Sequence, residues 1–84
     1  MQPVTLYTTD ACPFCTRAKV LLVKRGIEYE EINLARDPDG RAELVERTGM
    51  YTFPQILIGA EPIGGFNELL AADRAGRLAE LIAA

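Results

Sequence analysis

An α/β fold is what this sequence predicts: a four-stranded mixed sheet with helices on both faces. Three observations carry that expectation. Strand-like and helix-like segments follow one another as β-α-β-α-β-β-α-α, and the strand–helix–strand crossover after Thr8 makes the first two strands parallel with a right-handed connection. The unbroken apolar run Ile56-Leu57-Ile58, entered through Gln55, has the character of a buried central strand. The Gly59-Ala60-Glu61-Pro62 turn then sends the chain back as a short antiparallel strand at Pro62-Ile63, so the sheet is mixed.

Each element has its own warrant. From Pro3 to Thr8, Val4 and Leu6 alternate with Thr5 and Tyr7, the period of a half-buried strand. From Pro13 to Arg25, Phe14, Ala18, Leu21 and Leu22 recur at helical spacing and suggest one buried face. Lys24 and Arg25 suit the negative end of the helix dipole, and Gly26 is a natural stop. Ile27 to Leu34 reads as the second strand. Its imperfect alternation, with Tyr29 and Ile32 on opposite parities, points to a sheet edge. Asp37-Pro38 supplies a cap and a first-turn proline for a helix that runs through Leu44 and Val45 to Thr48 and ends at Gly49. Gly64-Gly65 precedes Asn67, read as the cap of a helix bearing Leu69, Leu70 and Ala71. Gly76 interrupts that helix before a final face of Leu78, Leu81 and Ile82.

The 84 residues are expected to form one domain, with no room for a second core. A net charge of −3 with scattered basic residues argues against nucleic acid as a partner. No apolar run approaches the ~20 residues of a spanning helix, and Met-Gln-Pro-Val carries no basic leader, so no membrane role and a cytoplasmic location are expected. Histidine is absent, which excludes Cys–His catalysis. With two cysteines and no histidine, the chain offers half the ligands of a structural zinc site, and no metal site is expected.

Those two cysteines lie three positions apart in Asp10-Ala11-Cys12-Pro13-Phe14-Cys15, where a strand gives way to a helix. A structural bridge closing so small a loop constrains the unfolded chain little, so the pair reads as a dithiol redox centre. Pro13 fits the first helical position, which makes Cys12 the N-cap. Its sulfur then faces free backbone N–H groups and the positive end of the helix dipole, and both favour thiolate over thiol. Cys15 lies one turn deeper among fewer free donors. Cys12 is therefore expected to attack and Cys15 to resolve.

Three segments, Cys12-Pro13-Phe14-Cys15, Thr52-Phe53-Pro54-Gln55-Ile56 and Ile63-Gly64-Gly65-Phe66-Asn67-Glu68-Leu69, occur in an order and spacing that cover almost the whole chain. Together they resemble the dithiol glutaredoxins of the thioredoxin fold. The resemblance implies a single glutaredoxin domain over residues 1–84. It also implies a glutathione-disulfide oxidoreductase that reduces protein disulfides and protein–glutathione mixed disulfides, with glutathione as co-substrate. A monomer is expected, with glutathione and disulfide-bearing or glutathionylated proteins as partners. By the same resemblance Pro54 is cis and faces the dithiol, leaving the peptide groups of Phe53 to pair with an extended thiol peptide. Backbone N–H groups of Phe66 and Asn67, after Gly65, are expected to form a nest for one glutathione carboxylate; Arg47 is the candidate for the other by resemblance, and Arg17 is the alternative closer to the dithiol in sequence. The implied glutathione contacts are Cys12, Phe14, Arg47, Thr52, Phe53, Pro54, Gly65, Phe66 and Asn67.

The chain departs from the family pattern at Phe14, where tyrosine is usual, at Thr9, where many members have lysine, and at Asn67-Glu68, where two aspartates are common. Two rival readings share the dithiol. One is a redoxin drawing electrons from thioredoxin reductase. The other is a dimer bridged by a [2Fe–2S] cluster held through Cys12 and glutathione.

Overall fold

Residues 1–84 are described by a computed structural model, whose element order is β1 (Val4–Thr8), α1 (Pro13–Lys24), β2 (Glu30–Asn33), α2 (Pro38–Thr48), β3 (Gln55–Ile58), β4 (Glu61–Gly64), α3 (Phe66–Arg74) and α4 (Arg77–Ala83). The sheet order is β2-β1-β3-β4, with β1 parallel to β2 and antiparallel to β3, and β3 antiparallel to β4. The mixed four-stranded sheet expected from the sequence is therefore present, with β2 at its edge.

Strand parity divides the core. Val4 and Leu6 of β1 and Ile56 and Ile58 of β3 point to one face, where they pack with Ala18 and Leu22 of α1, Leu69 and Ala72 of α3, and Leu78 and Ile82 of α4. Leu6, Leu22, Ile56 and Leu69 are fully buried. Burying each contributes roughly 1.5–3 kcal/mol over leaving it in water. The alternate residues Tyr7, Gln55 and Leu57 point to the other face, which α2 covers with the buried Leu44 and the terminal Thr48.

Local capping follows the sequence reading in two helices. Asp37 accepts the Gly40 N–H at 2.9 Å, and α2 ends at a left-handed Gly49. Past the end of α1, Gly26 likewise adopts φ +69°, open only to a residue without a Cβ penalty.

Three boundaries and one buried face depart most from expectation. The second strand is Glu30–Asn33 rather than Ile27–Leu34, because the ladder to β1 begins at the Thr5–Glu30 pair. The returning strand is longer than Pro62-Ile63, spanning Glu61–Gly64. Helix α3 is capped by Gly65, not Asn67. Glu68, three residues on, reaches back to accept the Gly65 N–H at 2.7 Å, satisfying that donor and starting the helix two residues early. Finally, the buried stripe of α1 is Cys15, Ala18 and Leu22 rather than one containing Phe14, which is half exposed.

The C-terminal ends of α1 and α3 are tied by Arg25, whose Nε and Nη2 donate to Asp73 at 2.8 and 2.9 Å. This hydrogen bonding, followed by the charge of Arg25, holds the Asp73 carboxyl below its ordinary 3.8. A depressed carboxyl stabilises the fold above its unfolded value, and the contribution is lost as pH falls through the folded one. Asp73→Asn is therefore expected to lower the unfolding temperature at neutral pH, by an amount that shrinks as pH falls through the folded value. A loss that does not change with pH would show that the pair acts through packing alone.

Candidate active site

β1 runs straight into the dithiol through a turn in which Ala11 adopts φ +50°. Cys12 is the N-cap of α1 with extended backbone, and Pro13 is the first helical residue. The Cys15 N–H donates to Cys12 Sγ at 3.1 Å, so one of the free donors at the helix start is aimed at the sulfur. The two cysteines are paired as a disulfide with Cα atoms 5.2 Å apart, inside the range such a bond spans. Cys12 is partly exposed, whereas Cys15 is buried at 2% exposure. The inequality of the two thiols expected from the helix geometry is thus also one of access.

The dithiol lies between two recesses. The first is a groove of about 300 Å³ between the segment before β3 and the start of α3. Thr52, Phe53 and the cis-linked Pro54 form one wall, and Gly65, Phe66, Asn67 and Glu68 the other. Phe14 closes the end toward the dithiol side of α1, its ring centroid 6.0 Å from that of Phe66. The Arg17 guanidinium lies over the Phe14 ring at 5.3 Å. Phe53 presents its carbonyl oxygen 3.8 Å from Cys12 Sγ. A Cβ on Gly65 would stand 3.4 Å from the Pro54 carbonyl, so the two walls approach to about van der Waals distance there.

Seven of the residues singled out in the sequence therefore line one groove beside Cys12. Arg47 does not line it. Its Nη1 lies 3.4 Å from the Tyr7 hydroxyl, on the face of the sheet covered by α2. Glu68 does, although the sequence reading did not nominate it. Its spacing of three from Gly65 is the signal that would have found it.

Gln55 also has a role that its place in an apolar run conceals. The side chain is 1% exposed, and its Nε2 donates to the carbonyls of Met50 and Thr52, both at 3.0 Å. Its Oε1 lies 2.9 Å from the Thr48 hydroxyl, which in turn accepts the Met50 N–H at 3.1 Å. One buried amide thus pins the loop that delivers Thr52, Phe53 and Pro54.

The second recess lies on the other flank, between the β1–α1 turn, the first turns of α1 and the end of β2. Cys12, Cys15, Thr16 and Lys19 line it from α1, with Asp10 and Asn33 opposite. Asn33 Nδ2 donates to Asp10 at 3.1 Å. Lys19 is paired with Glu31 at 2.9 Å, and the same carboxylate oxygen accepts the hydroxyl of the buried Thr8 at 2.8 Å. The Lys19 hydrogen bond holds the Glu31 carboxyl below its ordinary 4.5, against the opposing effect of partial burial.

Comparison with known proteins agrees with this architecture. Residues 4–63 match the family model described as Glutaredoxin. The chain is 46% identical over 84 residues to a glutaredoxin of Pseudomonas aeruginosa, covering the full length of both. It is 40% identical over 82 residues to glutaredoxin 3 of Escherichia coli, covering 98% of this chain and 99% of that one. Among solved structures, a buckwheat glutaredoxin–glutathione complex superposes with a TM-score of 0.88 at 30% identity, covering 98% of this chain and 77% of that chain. The solution structure of a Brucella melitensis glutaredoxin does so with a TM-score of 0.86 at 45% identity, covering 98% and 89%. With its dithiol at a helix N-terminus and its mixed sheet matched over nearly the whole length, the chain belongs to the glutaredoxin family.

Proposed function

We propose that this protein is a glutathione-dependent thiol–disulfide oxidoreductase, acting on protein–glutathione mixed disulfides and on protein disulfides through Cys12 and Cys15. The observation that carries the reading is the placement of a partly exposed Cys12 sulfur at a helix N-terminus, beside a groove that offers backbone polar groups and an aromatic wall. Family membership supports the oxidoreductase role. The buckwheat neighbour, solved as a glutathione complex, supports the choice of thiol.

Cys12 thiolate attacks the glutathionyl sulfur of a mixed disulfide, and the target protein's thiolate leaves and takes up a proton. The Cys12–glutathione adduct is cleared by one of two routes. A second glutathione thiolate attacks the adduct and leaves as glutathione disulfide, returning Cys12. Alternatively Cys15 thiolate attacks Cys12 Sγ, the intramolecular disulfide forms and glutathione thiolate leaves. Two glutathiones then reduce that disulfide. No separate acid or base is needed in the transfer, because thiolates serve as both nucleophile and leaving group.

In this reading the tripeptide lies along the groove between Phe53-Pro54 and α3. The peptide groups of Phe53 pair with it as a strand would, and Thr52 and Phe14 flank it. The N–H groups of Phe66 and Asn67, which have no partner within the helix, receive a carboxylate. Glu68 already occupies the Gly65 N–H, so the nest has one donor fewer and carries a carboxylate nearby. The second ligand carboxylate falls to a cation: Arg17 over Phe14, or Arg47 at the end of α2, outside the groove lining. A reducing cytoplasm, which keeps such dithiols reduced between turnovers, suits this chemistry.

One coupled assay tests the proposal. With a glutathionylated protein as substrate, glutathione plus glutathione reductase should sustain turnover at least about tenfold faster than thioredoxin reductase. The opposite ratio would make the protein a redoxin served by thioredoxin reductase.

A further inference from the structure

The mechanism so far leaves the recess opposite the glutathione groove without a task, yet it is the one that Cys15 lines. Cys15 needs help that Cys12 does not. It is buried at 2% exposure and is the third residue of the helix, so its sulfur does not sit at the N-cap where the free N–H groups converge. Its backbone N–H is spent on Cys12 Sγ. A buried thiolate without compensation is disfavoured by lost hydration, which slows any step in which Cys15 is the nucleophile.

Lys19 sits one turn further along α1, at the i, i+4 spacing that places two side chains on the same helix face. It lines the same recess as Cys15, and it is the only cation there. Its position is held from below: Glu31 of β2 pairs with it at 2.9 Å, and Thr8 of β1, 1% exposed, fixes the same Glu31 oxygen at 2.8 Å. The other charged groups facing the recess are few. Asp10, from the β1–α1 turn, is engaged by Asn33, and α3 contributes no charge. Arg17 is turned away over Phe14.

We infer that Lys19, anchored by Glu31 and Thr8, is a positioning residue for the resolving thiol, favouring Cys15 thiolate when it attacks Cys12 Sγ. The inference rests on the dithiol route proposed above. In that step the Cys15 proton goes to solvent, the S–S bond forms at Cys12, and the departing thiolate carries away the electron pair of the broken bond. Cys12 is uncharged while it is in mixed disulfide, so Lys19 acts on Cys15 alone. The two recesses thus divide the labour, with ligand recognition on the Pro54 side and disulfide closure on the β2 side.

Stopped-flow reaction of the reduced protein with one equivalent of the chromogenic aryl disulfide dithiobis-nitrobenzoate separates the two steps without glutathione. The first aryl thiolate reports attack by Cys12, and the second reports closure by Cys15. Lys19→Gln should slow the second phase about tenfold below its pH midpoint and raise that midpoint by about one unit, with the first phase within about twofold of wild type. Lys19→Arg should restore the second phase. Glu31→Gln, which removes the opposing charge while keeping an acceptor for Lys19 and Thr8, should move the midpoint down. Slowing of both phases together, an unshifted midpoint in Lys19→Gln, or shifts of the same sign in the two variants would overturn the inference. Because the aryl disulfide makes no use of the tripeptide groove, failure of the glutathione reading would leave this two-phase signature intact.

Discussion

Cys12→Ser is expected to abolish turnover in every assay, by about 10³-fold or more, whereas Cys15→Ser separates the two reactions. Serine keeps the shape of the N-cap and can still accept the Cys15 N–H, so the helix start survives the substitution. What is lost is the thiolate, since a hydroxyl at the same place neither ionises near neutral pH nor forms a disulfide. Cys15→Ser leaves the attack by Cys12 and clearance by a second glutathione untouched, so release of glutathione from a glutathionylated protein should persist within about threefold. Reduction of a protein disulfide should fall by about 10²-fold or more, because the mixed disulfide with the protein has no internal thiol to resolve it. Parallel measurement with a glutathionylated and a disulfide-bonded substrate checks both. Equal losses in the two assays for Cys15→Ser would refute the division of roles between the thiols.

Gln55→Leu should damage both stability and substrate binding although it lies outside the dithiol. The substitution preserves bulk at a position buried to 1%, yet it strips the carbonyls of Met50 and Thr52 of their donor and the Thr48 hydroxyl of a partner. Unmatched buried acceptors are costly, and two of them together should reduce stability by about 2–4 kcal/mol. The loop they anchor carries Thr52, Phe53 and Pro54, so the consequence should not stop at stability. At temperatures where the variant is still folded, KM for a glutathionylated substrate should rise several-fold, by roughly the factor that about 1 kcal/mol of lost preorganisation implies. Urea unfolding measured beside steady-state kinetics tests both halves. A stability loss under about 1 kcal/mol with unchanged KM would mean that the loop is held by other contacts.

Much of this molecule is determined by the sequence alone, and the reason is that the deciding interactions are local. Asp37 caps α2 through a bond to Gly40 three residues away, and Gly26 and Gly49 end their helices through their own backbone freedom. Cys12 becomes an N-cap because Pro13 follows it, and the β1–α1–β2 crossover dictates parallel pairing. The tertiary structure decides what depends on partners distant in the chain. Helical spacing could not tell whether Phe14 or Cys15 leads the buried stripe of α1. The packing of α1 against the sheet chose Cys15 and left Phe14 beside Phe66 at the groove. Gln55 read as the edge of an apolar run, and only the return of α2 across that sheet face gives it Thr48 and a loop to hold. Helical position gives Lys19 only a place in the basic later part of α1, and the parallel register of β1 and β2 sets Thr8 and Glu31 beneath it. A hydrogen bond within four residues is legible in one dimension. One that spans two strands and a helix exists only after the sheet has fixed which residues share a face.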